Sequence, residues 1–178
     1  MLKEAKLNYD FKTFLSADYS VHSGSCLSHQ KDELKDIHEK YGGVPDSITE
    51  QNTTINQLWY KDGEVDFKEI GSQLGIDVVT ISSIKQEPGN MVPIHRDTFY
   101  QINKRYPNDK RQKVRANIYL EDWREGQFIH YEIDNKWFNS THWKAGDGFI
   151  WDSKHLHVSG NAGFSDKHTL QVSGFLYD

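Results

Sequence analysis

The sequence predicts a mainly β protein braced by N-terminal helices, and three observations carry that prediction. After Ile76, short runs rich in β-branched and aromatic residues recur, bounded by turn residues. Before that point, apolar residues fall three and four apart between capping and stop signals, as on one face of a helix. Aromatic residues make up 13% of the chain, a composition suited to pleated, half-buried surfaces.

Taken in chain order, Leu34, Ile37 and Tyr41 define a first helix that Ser28 can cap and Gly42-Gly43 can stop in a left-handed conformation. Ser47-Ile48-Thr49-Glu50 has the form of a capping box, so a second helix is expected to carry Ile55, Leu58 and Trp59. A third is expected over Phe67, Ile70 and Leu74, closed by Gly75. Strands are then expected at 77–84, 114–120, 127–133, 148–151 and 169–175. The turns between them are Pro88-Gly89, Arg124-Glu125-Gly126, Asp134-Asn135 and Gly146-Asp147-Gly148. Many short strands with regular turns mean a sandwich or barrel. With no repeat or Pro/Ser-rich linker, the 178 residues are expected to form one domain, with supporting helices in 1–75 and the β core in 76–178.

Composition narrows the function. The net charge of -5 argues against coating nucleic acid through bulk positive charge. No apolar run approaches the roughly 20 residues that cross a bilayer, so no membrane partner is expected. The start, Met1-Leu2-Lys3-Glu4, lacks the apolar stretch of a secretory signal, and a lone Cys26 requires no oxidising compartment; a cytoplasmic location is expected.

The most informative pattern is His95-Arg96-Asp97. Residues two apart on an extended strand project to one face, so an imidazole and a carboxylate can converge on one ion. A second imidazole from a distant strand completes a two-histidine, one-carboxylate set that suits Fe(II) and leaves positions open for chemistry. His155 and His157 compete for that place, in Trp151-Asp152-Ser153-Lys154-His155-Leu156-His157. On another strand, Arg115, Asn117 and Tyr119 share the face opposite Ala116, Ile118 and Leu120.

The order H-x-D, a Gly-Asp turn before an aromatic strand, a distal histidine and a basic residue ten positions later resembles the Fe(II)/2-oxoglutarate-dependent dioxygenases, built on a double-stranded β-helix of jelly-roll, cupin-like form. Ten positions from His157 stands Lys167, whereas ten from His155 stands Ser165, so the resemblance makes His157 the ligand. Lysine at that spacing is similar to the prolyl hydroxylase branch. Pro88-Gly89 before His95, Arg115-x-Asn117 and His157-x-x-x-Asn161 resemble the aspartyl/asparaginyl β-hydroxylase branch over roughly residues 80–175. That branch typically lacks the metal-binding carboxylate that Asp97 supplies here.

The resemblance implies Fe(II) held by His95, Asp97 and His157. It implies 2-oxoglutarate as cosubstrate, its far carboxylate on Lys167 with Thr169 beside it, and Arg115 and Asn117 against cosubstrate or substrate. O2 is consumed, ascorbate can serve as reductant, and a C–H bond of an amino-acid side chain, free or peptidyl and of Asp, Asn or Pro type, is hydroxylated with release of succinate and CO2. A halogenase is disfavoured, because halogenating relatives replace the carboxylate. The segment 98–113, with five basic residues against one acid, is placed to be a lid favouring an anionic substrate. Tyr100, Trp123 and Trp151 are read as packing aromatics, although Tyr100 lies near enough to the metal motif to touch a substrate, and His22, His29, His38, His130, His142 and His168 receive no role. Two rivals fit less well. Nucleic-acid demethylases carry paired arginines after the distal histidine, and here none follows Arg124. A cupin-like binding module without oxygenase activity usually presents three histidines and a glutamate.

Overall fold

The computed structural model describes residues 1–21, 23–30 and 33–177, without the side chains of Ser28 and His29. His22 and the proposed capping group of Ser28 therefore lie outside the described residues. Among the described residues, eleven strands and five short α-helices follow in order, with one 3-10 turn at Tyr19–Val21: β1 (Leu2–Lys6), α1 (Lys12–Leu15), β2 (Ser23–Ser25), α2 (Cys26–Gln30), α3 (Lys35–Lys40), β3 (Thr54–Tyr60), α4 (Phe67–Leu74) and β4 (Ile76–Gln86). The second half holds β5 (Met91–His95), α5 (Tyr100–Arg105), β6 (Lys113–Tyr119), β7 (Gln127–Ile133), β8 (Lys136–Ser140), β9 (Asp147–Trp151), β10 (His157–Asn161) and β11 (Lys167–Leu176). No helix among the described residues is long and apolar enough to cross a membrane.

The strands form a seven-stranded sheet ordered β1-β9-β6-β11-β4-β3-β2 and a four-stranded sheet ordered β5-β10-β7-β8. Every pairing within them is antiparallel. This is the double-stranded β-helix, a jelly roll with a major and a minor sheet. The Asp134-Asn135 turn between β7 and β8 has both residues at positive φ, 51° and 61°, the backbone that a tight two-residue hairpin demands.

Alternation along each strand separates two environments. Outward from the major sheet, Ala116, Ile118, Ile150, Leu170 and Val172 pack with Phe14, Ile70 and Leu74 of the N-terminal segment and α4. Inward, Tyr119, Ile129, Trp143, Phe149 and Trp151 fill the space between the sheets at one end. Register then places inward side chains in rows across the major sheet. Trp151, Arg115, Ser173 and Thr80 stand opposite one another, and the next row is Phe149, Asn117, Gln171, Ser82 and Trp59. The row after that holds Tyr119, Thr169, Ile84 and Gln57.

Three expectations need correction. The segment after the capping box is a strand, not a helix. Asn52 Nδ2 donates to the Ser47 carbonyl at 2.8 Å, and the Thr49 amide donates to Asn52 Oδ1 at 2.9 Å, so residues 47–53 fold as turns. β3 then pairs with β4 from Asn56↔Lys85 to Tyr60↔Ile81. A helix cap contributes only about 1 kcal/mol, and a full ladder outweighs it. Secondly, β1 and β2 also lie before residue 75 and extend the major sheet, so the sheet crosses the expected boundary. Thirdly, the first helix is split: α3 has Leu34 and Tyr41 at its flanks and α2 is separate. Gly42 and Gly43 do adopt the left-handed conformation expected of a stop, and Gly75 closes α4 at φ 71°.

Gly148 shows how tightly β9 lies on β6: a Cβ there would stand 2.2 Å from the Asn117 carbonyl oxygen. Gly148→Ala is expected to lower stability by about 1–3 kcal/mol through overpacking, read as a shifted urea midpoint.

Candidate metal centre

Strand register brings the two imidazoles together. β10 pairs with β5 so that His157 stands directly opposite His95, with ring centroids 4.0 Å apart. Asp97 lies two residues past His95, just beyond the end of β5, and is 3% exposed. One ligand atom from each of His95, Asp97 and His157 lies within 4.8 Å of the other two.

The ring nitrogens are sorted by what surrounds them. His95 Nδ1 is 2.8 Å from the Pro93 carbonyl, and His157 Nδ1 is 3.2 Å from the His155 carbonyl. A carbonyl only accepts, so each Nδ1 carries the proton and each Nε2 keeps its lone pair for a metal. Burial, reinforced by the neighbouring His95, depresses the pKa of His157 to about 3, and burial also lowers that of His95; both rings are neutral.

Asp97 is gripped from the major sheet. The Arg115 guanidinium pairs with Oδ1, and the Trp151 indole donates to Oδ2 at 2.7 Å. Arg115 and Trp151 are themselves opposite each other on β6 and β9. Burial works against the charged carboxylate, yet the Arg115 guanidinium and the Trp151 N–H help hold Asp97 below its ordinary value. Two neutral imidazoles and one carboxylate form the donor set that suits Fe(II).

His155 does not converge. Its ring turns to Asp152 Oδ1 at 3.0 Å, while its carbonyl orients His157. The side chains of His95 and Asp97 thus converge with His157 although Asp97 lies beyond the end of its strand, and His155 and His157 do not share a strand face because β10 begins at His157.

A cavity of about 670 Å³ opens beside these residues, and Arg115, Asn117 and Thr169 line it. Lys167 lies behind its wall, 2% exposed, donating to the Ser159 hydroxyl at 2.7 Å, the Phe128 carbonyl at 2.8 Å and Gln86 Oε1 at 3.4 Å. Gln86 and Ser159 line the cavity, so the ammonium stands one layer away from it. All three partners are neutral, and burial lowers its pKa to about 7.

The segment 98–113 is not one loop, since it contains α5. Thr98 to Ile102 line the cavity, and none of the five basic residues does. Arg105 donates to the Val79 carbonyl, Arg111 pairs with Asp77 and Asp109, and Lys113 donates to Asn103.

Sequence reading missed Trp151 as the holder of Asp97, and Gln86, Ser159 and Gln171 as cavity residues. Gln171 had a visible signal, because it continues the Lys167, Thr169 alternation along β11.

No protein-family model and no curated protein sequence matches the chain. Solved structures do. A prolyl-4-hydroxylase from Pseudomonas putida is similar at 16% identity, covering 98% of this chain and 92% of that one, with a TM-score of 0.56. A non-heme alpha-ketoglutarate-dependent carbocyclase, SnoK from nogalamycin biosynthesis, is similar at 11% identity over 99% and 79%, also with a TM-score of 0.56. At these identities the shared property is the double-stranded β-helix fold.

Two outcomes are expected. His157→Ala abolishes Mn(II) binding measured by electron paramagnetic resonance, whereas His155→Ala retains it, because the contact to His157 is main-chain. In the ligand-free protein an unfolded lysine binds its proton below about 10.5 and buried Lys167 only below about 7, so stability rises with pH across that window. Lys167→Met is expected to flatten that slope in urea midpoints taken between about pH 7 and pH 10.

Proposed function

We propose that the chain is an Fe(II)- and 2-oxoglutarate-dependent dioxygenase that hydroxylates a C–H bond of an amino-acid side chain, free or within a peptide. The observation that carries this reading is the buried Lys167 ammonium, which has no carboxylate partner among the described residues, beside a cavity that also holds the His95, Asp97 and His157 donors. A buried cation surrounded only by neutral acceptors is a costly arrangement that an anionic ligand relieves.

When bound, Fe(II), 2-oxoglutarate and O2 supply the oxidising chemistry that converts the C–H bond to C–OH, with release of succinate and CO2; ascorbate keeps the metal reduced. The chain's own residues position and shield. His95 and His157 donate neutral Nε2 lone pairs, and Asp97 adds one negative charge, leaving a divalent cation with roughly one net positive charge to attract a dicarboxylate. Lys167 would hold the far carboxylate, with Thr169 beside it, and its weakest present contact, to Gln86 Oε1 at 3.4 Å, is the one a carboxylate would supplant. Trp151 and Arg115 keep Asp97 ionised and fixed in direction. The aromatic cluster between the sheets closes the end of the site to water. A cupin-like binding module without oxygen chemistry leaves the buried ammonium without a role.

The test is succinate formation from 2-oxoglutarate with Fe(II) and ascorbate in the absence of substrate, together with calorimetric binding of 2-oxoglutarate to metal-loaded protein. Slow uncoupled turnover and saturable binding are expected; the absence of both overturns the reading. Lys167→Met is expected to weaken 2-oxoglutarate binding about 100-fold, from the roughly 2–3 kcal/mol of a charge-assisted bond. Binding also raises the pKa of Lys167, so the wild type takes up a fraction of a proton at about pH 7.5 and almost none near pH 5.5. Lys167→Arg, charged throughout, loses that uptake.

A further inference from the structure

One inward row of the major sheet carries polar groups that hydroxylation chemistry leaves unused. Asn117 on β6, Gln171 on β11, Ser82 on β4 and Trp59 on β3 stand opposite one another in register. The adjacent row holds Arg115, which grips Asp97, so this row starts beside the metal donors. It runs outward to Trp59, which is 51% exposed at the far end.

Asn117 is the decisive residue. It is 8% exposed, lines the cavity, and its Oδ1 is buried with no hydrogen-bond partner. Its Nδ2 and the amide of half-buried Gln171, which are not among the fully buried atoms, also have no hydrogen-bond partner among the described residues. Gln57 donates to Ser82 Oγ at 2.9 Å and leaves its own carbonyl oxygen unused in the same cavity. Buried polar groups are almost always paired, so an unpaired amide on a cavity wall marks the place of a ligand.

The chemistry of that ligand follows from donor and acceptor counting. A carboxamide offers two donors and one acceptor whichever way it is turned. A carboxylate or phosphate can satisfy the donors only, leaving the buried carbonyl oxygen of Asn117 orphaned. An ammonium ion leaves the donors orphaned. An amide satisfies both at once, in a cyclic pair of hydrogen bonds. No charged side chain stands in the row, and the nearest deep cation, Arg115, is neutralised by Asp97. The geometry points to Asn117, Gln171 and Trp59 as the substrate subsite, accepting an uncharged, amide-bearing chain that lies along the row and leaves over the Trp59 ring. This assignment to substrate rests on the dioxygenase reading. It replaces the anionic preference expected from segment 98–113, whose cations lie off the cavity.

The test uses the full chain loaded with Zn(II), ¹⁵N-labelled and followed through its side-chain amide signals. Acetamide and N-methylacetamide are expected to shift the Asn117 and Gln171 signals saturably, while acetate at equal ionic strength does not. Asn117→Leu is expected to weaken the acetamide response at Gln171 about tenfold. Trp59→Ala is expected to weaken N-acetyl-alanine N-methylamide, which reaches the rim, but not acetamide. Equal shifts with acetate, shifts of Asn117 with 2-oxoglutarate alone, or no saturable shift each overturn the subsite. If amides bind while no succinate forms, the oxygenase reading falls and the amide site stands. If succinate forms and amides do not bind, the reverse holds.

Discussion

The site depends on cross-strand register more than on any single motif. His157 faces His95 because β10 pairs with β5 in the minor sheet. Arg115 faces Trp151 because β6 pairs with β9 in the major sheet, and that pair grips Asp97 between them. A slip of one residue in either pairing turns a ligand to the other face of its sheet. The metal donors are therefore as rigid as the two ladders that carry them, and the outward apolar layer packed against α4 holds the major ladder in place.

Electrostatics divide the cavity into regions. Next to the donors, burial keeps both imidazoles neutral while Arg115 and Trp151 keep the carboxylate charged, the combination that a divalent cation needs. Behind the wall, the Lys167 ammonium is held by three neutral oxygens. Along the row from Asn117 to Trp59 the wall carries amides and no charged side chain. On the proposed reading, a dianion and a neutral chain would use different groups around one cavity.

Local chemistry made part of this legible. Alternation and turn residues found the β7 strand at 127–133 and located the major-sheet strands β4, β6, β9 and β11. The H-x-D pair and the ten-residue spacing named three side chains whose ligand atoms do meet, whereas Lys167 starts the last strand but lies behind the cavity wall and not on it. Ser47 and Glu50 imitate a helix cap ahead of β3, whereas the conformation is decided by β4, distant in sequence. β1 and β2 were missed for the same reason, being short strands that exist by pairing. Trp151 looked like packing because nothing in its neighbours says that its N–H reaches a carboxylate 54 residues earlier. Asn117 and the alternation that carries Gln171 are visible in the sequence, but their alignment into one amide row is a property of register between strands and not of any stretch of chain.

The most direct measurement is a crystal structure of the protein soaked with Mn(II) and 2-oxoglutarate without oxygen. The account predicts the metal on Nε2 of His95 and His157 and on the Asp97 carboxylate, with the far carboxylate of the ligand at about 3 Å from Lys167 Nζ. A metal bound elsewhere, or a Lys167 still bonded to Phe128, Ser159 and Gln86 with the diacid absent, contradicts it.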